Sequence, residues 1–131
     1  MAKTVQPAVT HVVILKGWDP SGETTVTIRE ARHGEETQRE RALTPTVRER
    51  LDASGITREY TSLPLADLAY LECWLTFVDA TILTENQGQM TRLFQPGMSE
   101  VAFRHAFAQL PPELVSEWQQ VVTKINPHWN I

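Results

Sequence analysis

Four histidines, His11, His33, His105 and His128, and three carboxylates, Glu72, Asp79 and Glu85, are the side chains best suited to acid–base or metal chemistry. Zinc sites are signalled by close Cys or His pairs that bring three or four ligands together. No histidine stands at such a spacing from another, or from the single cysteine, Cys73. The sequence implies no metal centre and no cofactor. Glu72, Asp79 and Glu85 follow near-helical spacing, and a fold that carried His105 to them would create an acid–base pair. The competing reading puts Glu72 and Asp79 on the solvated side of an amphipathic helix, the commoner fate of carboxylates. A small hydrolase-like enzyme is therefore the least supported function, and no catalytic residue is assigned.

Nucleophile and nucleotide signatures are missing as well. Ser21-Gly22 and Ser54-Gly55 lie in turn contexts, not on a nucleophile elbow. Neither a phosphate loop nor a GxGxxG turn occurs. Cys73 lies in the apolar run LAYLECWLTFV, the setting of a buried structural thiol and not of a stabilised thiolate. Arginines 29, 32, 39, 41, 48 and 50 would make a phosphate-binding patch, but five glutamates interleave with them and favour a solvated, mixed-charge face. Trp74 and Trp118 occupy apolar helix positions, whereas Trp18 and Trp129 sit in loop contexts. Exposed aromatics and arginines mark binding hot spots. Trp18, Arg39, Arg41 and Trp129 are accordingly the candidate partner-binding residues, with burial the rival fate of both tryptophans.

These side chains need elements to position them. Residues 9–17 and 24–31 are β-branched, and in the second run Val26 and Ile28 alternate with Thr25, Thr27 and Arg29. With the turn-forming WDPSGE between them they predict an N-terminal β-hairpin over 9–31. Residues 33–41 contain no apolar side chain, and 32–43 is expected to be a polar connecting segment, partly helical or a mobile arm. From 44 to 131 the expectation is helical. Thr44, Pro45 and Gly55 supply start and stop signals for a short helix, and the connector ITREYTS comes after it. Leu68, Leu71, Leu75, Val78 and Ile82 step by three and four along a helix opened by Pro64, with a strand over residues 76–84 as the alternative. TENQGQMTRLFQPGMS reads as a loop, with Ser99 a cap for the next helix.

The closing residues are the most strongly patterned. Phe103, Ala106, Phe107 and Leu110 follow one helix face; Leu114, Trp118, Val121, Val122 and Ile125 follow another. Pro112 suits a first helical position, and Asn126-Pro127 stops the second helix. The expected fold is α+β: one domain with an N-terminal β-hairpin beside a bundle of about four helices. Leu68, Leu71, Leu75, Val78, Phe103, Phe107, Trp118 and Val122 are the expected core.

Bulk composition bounds the partners. The chain has 131 residues, is 41% hydrophobic and 21% charged, and carries a net charge of −4. That length suits one domain with a real core. The acidic balance argues against a generic nucleic-acid binder. No run approaches a membrane span, the N-terminus lacks a secretory pattern, and one cysteine suits a reducing compartment, so a soluble cytoplasmic protein is expected.

Three stretches, VTIREARHGEETQRE, LECWLTFVDATILTENQGQ and VAFRHAFAQLPPELVSEWQQVVTKINPHW, together resemble tail assembly chaperones of long-tailed bacteriophages. The last, an LPP–helix–NPxW-like ending, carries most of the likeness, which extends over most of the chain. LPPE and NPHW are a helix start and a helix stop, not chemical signatures. The resemblance implies a non-enzymatic protein in the cytoplasm of an infected cell. It would bind the tape measure protein, recruit tail tube subunits, often act as an oligomer, and leave before the virion is complete. Many such proteins also have a frameshifted long form. The alternative is a structural virion or head–tail adaptor subunit that stays in the particle.

Overall fold

A computed structural model describes residues 2–61 and 63–129, apart from the side chains of residues 46, 48, 60 and 61. The fold is α+β, with four α-helices and several antiparallel strands. Strand β1 (Thr10–Ile14) pairs with β2 (Thr25–Arg29), so the N-terminal hairpin forms where alternation places it. Val26 and Ile28 are fully buried, and Thr25, Thr27 and Arg29 look the other way. Asp19 closes the connecting loop by accepting from Ser21 N (3.0 Å), Ser21 Oγ (2.6 Å) and Thr24 Oγ1 (2.7 Å). Those bonds, Ser21's first, hold the Asp19 carboxyl below its usual range.

The polar 32–43 segment takes the helical of its two expected forms, as α1 (His33–Leu43). It has no buried residue among its apolar side chains and is fixed by charges: Arg29 meets Glu35 at 3.3 Å, and His128 pairs with Glu36. The short helix expected after Thr44 is instead a hairpin, β3 (Thr46–Asp52) and β4 (Gly55–Thr61). Val47, Glu49 and Leu51 alternate with polar neighbours, and Ile56 and Thr57 are β-branched. Period two wins over the apparent helix stops. Ala53-Ser54 make the turn, with Asp52 accepting from Ser54 N at 2.8 Å and Gly55 at φ 127°.

Helix α2 (Leu65–Thr76) ends before the expected seam does. Phe77–Ala80 form β5, which pairs with β2 and makes a three-stranded sheet in the order β1-β2-β5. The supposed loop beyond it contains another hairpin, β6 (Leu83–Asn86) with β7 (Gln89–Arg92). Its two-residue turn needs positive φ at both positions, found at Gln87 (53°) and Gly88 (81°). The region 44–131 is therefore not purely helical; its described residues hold five strands.

Helices α3 (Glu100–Phe107) and α4 (Pro112–Ile125) form where predicted. Ser99 Oγ accepts from Ala102 N at 3.2 Å, and Pro112 opens α4. A 3₁₀ turn, Pro127–Trp129, closes the described chain. Buried Asn126 ties this end to the sheet, accepting from Ala31 N at 2.8 Å and donating to Val122 O at 3.1 Å.

The core is aromatic. Phe77, Phe94, Phe103, Phe107 and Trp118 lie in mutual contact, with centroids 4.9 Å apart for Phe77–Phe103 and 5.3 Å for Phe94–Trp118. Of the expected core, Leu75, Phe103, Phe107, Trp118 and Val122 are buried. Leu68 and Leu71 are only half-buried, because α2 is rolled so that Ala69, Glu72, Cys73 and Thr76 face inward; Val78, also half-buried, lies on β5 and not on the helix. Trp118→Ala removes the centre of the cluster and should lower stability by about 3–5 kcal/mol in chemical denaturation. Trp118→Phe should cost less, since the Trp118 indole N–H has no acceptor among the described residues. Equal losses from both would refute this packing.

Candidate protein-binding surface

The sequence-predicted residues divide between the interior and the surface. Glu72 is not on a solvated helix face; it is 1% exposed. Its Oε2 accepts from Arg39 Nε at 2.9 Å and its Oε1 from Gln119 Nε2 at 2.9 Å. Arg39 also donates to Trp129 O at 3.1 Å, and its guanidinium lies 5.1 Å from the centre of the Trp129 ring. Trp129 is itself buried. Arg39 and Trp129 thus sit together inside the fold as parts of one ionic cluster that joins α1, α2, α4 and the 3₁₀ turn. Arg41 is exposed in the last turn of α1.

The acid–base cluster does not assemble. Glu72 is taken by Arg39, and Asp79, on β5, is held by Arg92 at 2.6 Å. Glu85 on β6 and His105 on α3 are exposed. Among the described residues no three His, Cys, Asp or Glu side chains gather where they could hold a metal ion. No helix among them is long and apolar enough to cross a membrane.

Trp18 is the one candidate that projects as an accessible aromatic, at 42% exposure. Leu15, fully buried, anchors the loop beneath it. Gly17 lies against the carboxylate end of the Glu117 side chain, which a Cβ at that position would displace. Glu117 Oε1 accepts from Trp18 N at 3.3 Å and fixes the backbone that presents the indole. Trp18 borders an open groove of about 450 Å³. Leu93, Leu110 and Leu114 floor it, and the exposed Leu83 and Met90 of the β6–β7 hairpin form its far wall. Asp19, Glu23 and Glu85 line the groove, with no Lys or Arg among its lining residues. The arrangement is a shallow trough with an apolar floor and far wall, with Thr24, Thr81, Thr84 and Gln109 among its lining, and an acidic rim. Met90 escaped the sequence reading because its segment read as loop, and Leu83 because it ended the stretch read as helix, with a strand over 76–84 the alternative.

Comparison with protein-family models, with curated proteins and with solved structures finds no match to this chain. The surface must be interpreted from its own chemistry.

Cys73 is the remaining reactive group, and it is buried. Burial, with a smaller contribution from the neighbouring Glu72 charge, pushes its thiol well above the ordinary range. The folded state favours the neutral thiol. This contribution is therefore complete below the ordinary thiol range and fades as pH climbs through it, because the unfolded chain ionises first. A disulfide reagent at mildly alkaline pH should label Cys73 only upon unfolding. Labelling of the native protein at the rate of a free thiol would contradict its placement.

Proposed function

We propose that this chain is a non-enzymatic assembly chaperone of a long-tailed bacteriophage, binding the tape measure protein and helping to recruit tail tube subunits. The observation that carries the reading is the Trp18 groove. A trough with an apolar floor, an aromatic edge and a flexible methionine suits the apolar stripe of an amphipathic helix. Its acidic rim favours a helix whose stripe is flanked by Lys or Arg. A tape measure protein is long and helical, and a chain that covers its apolar stripe keeps it soluble. The resemblance of the closing LPPE–NPHW region, and of the two stretches before it, supplies the biological setting. Nothing in this reading requires nucleic acid, a membrane or a cofactor.

Two departures from the sequence expectation shape the proposal. Trp129 is buried and Arg39, its side chain 13% exposed, is engaged by Glu72, so the proposed contact does not use them. The contact is instead built on Trp18, Leu83 and Met90, with Asp19, Glu23 and Glu85 around them. A structural virion or head–tail adaptor subunit remains the alternative, and purified particles separate the two: a chaperone is absent from them and a subunit is present.

Co-expression with the long helical protein of the same gene cluster should yield a complex that survives gel filtration. Trp18→Ala, at an exposed site, should leave the melting temperature within roughly a degree or two and weaken the complex by about tenfold or more. An equally soluble partner with and without this chain, and no complex, would overturn the proposal.

A further inference from the structure

The β3–β4 hairpin is amphipathic, yet its described apolar side chains are largely exposed. Its register puts Val47, Glu49, Leu51, Ile56 and Arg58 on one face, with Leu51 opposite Ile56 and Glu49 opposite Arg58. The described side chains of the other face, Arg50, Asp52, Thr57 and Glu59, are all polar. The two strands contact each other and scarcely anything else. Leu51 is 81% and Ile56 64% exposed. Strands whose apolar residues share one face are patterned to bury that face, and a lone two-stranded ribbon is marginal in water.

The same chain carries a hole of matching chemistry. Between α2 and α3 lies an apolar cleft of about 500 Å³, lined by Leu63, Ala66, Tyr70, Leu71 and Phe107. Asp67, Glu100 and Arg104 stand on its rim. The Tyr70 hydroxyl donates to Glu100 Oε1 at 3.1 Å, and the Arg104 guanidinium lies 5.1 Å from the Tyr70 ring centre, so the rim charges are held in place. Ala42 and Leu63, just outside the two ends of the hairpin, both line the cleft, so the arm is rooted at its mouth.

That rooting decides the occupant. Seven rungs separate the root of the arm from its tip, a reach of about 20 Å at roughly 3.3 Å per residue. A straight ribbon rooted at the cleft mouth carries Leu51 and Ile56 away from its own cleft, and within reach of a neighbour's. We infer that the arm is an exchange element: the apolar face of β3–β4 seats Leu51 and Ile56 in the α2–α3 cleft of a second copy of this chain. Arg58 then meets Asp67 and Glu100 of the cleft rim, and Glu49 meets Arg104. The arm's own Glu49–Arg58 pair, at 3.2 Å and well exposed, gives up little when it exchanges partners. In a two-fold pair each copy both donates an arm and receives one, so both apolar surfaces are covered by a single operation. This surface lies apart from the Trp18 groove, and its test needs no tail protein.

The full-length chain should sediment as an oligomer at micromolar concentration. Leu51→Asp with Ile56→Asp alters only exposed side chains. It should preserve the circular dichroism spectrum and weaken self-association by at least about tenfold. Ala66→Arg, in the cleft and also exposed, should do the same. Mixing the two variants is the discriminating step. The arm variant retains a sound cleft and the cleft variant a sound arm, so the mixture should form a heterodimer that neither forms alone. A wild-type chain that stays monomeric at high micromolar concentration, arm variants that still self-associate, or a mixture that does not associate would each overturn the inference. So would an arm variant that loses only its binding to a helical partner, which would make the hairpin a client site.

Discussion

A carboxylate buried beneath three helices is the constraint on which the rest of the structure depends. Glu72 can be placed at 1% exposure only because Arg39 and Gln119 meet both of its oxygens. An unpaired charge at that depth would be prohibitive. Satisfying it recruits α1 through Arg39, α4 through Gln119 and the C-terminal turn through the Arg39–Trp129 contacts. Helix α1 has no apolar face to bury, so this ion pair, with its peripheral salt bridges, holds it in place. Such a pair adds little net stability over an apolar replacement, but it fixes which helix faces inward.

That choice of face explains what is left outside. With Glu72, Cys73 and Thr76 turned to the interior, α2 keeps Leu65 exposed and offers Tyr70 and Leu71 to the cleft it shares with α3. The arm between α1 and α2 springs from the mouth of that cleft. At the other candidate surface, Glu117 of α4 holds the Trp18 loop, and the β6–β7 hairpin supplies the groove's far wall. Both candidate binding surfaces are thus apolar regions bounded by fixed charges, built on elements whose positions the buried network helps to determine.

The sequence was most legible where the determining forces are local. Val26 and Ile28 alternate with polar neighbours and became β2; Ser99 and Pro112 begin α3 and α4 as capping chemistry requires. The β3–β4 arm was hidden because Thr44, Pro45 and Gly55 mimic helix boundaries, while the real signal is the period-two pattern between them. The β6–β7 turn was hidden because Gln87 occupies a left-handed position where Asn would ordinarily advertise a hairpin. Glu72 could not be recognised at all: its partners lie 33 and 47 residues away along the chain. Of the candidate binding residues, Trp18 was legible as an aromatic in a turn, whereas Arg39 is drawn inward by that same distant carboxylate and in turn bonds the buried Trp129.

A double-mutant cycle on Arg39 and Glu72 tests this dependence most directly. Arg39→Met strands a buried carboxylate and should cost about 3–5 kcal/mol of unfolding free energy. Glu72→Leu with Arg39→Met removes both charges and should recover most of that loss, giving a large coupling between the two sites. If the single substitution cost no more than a surface change, or the two losses simply added, Glu72 would not be the residue that holds α1 and the C-terminal turn to the core.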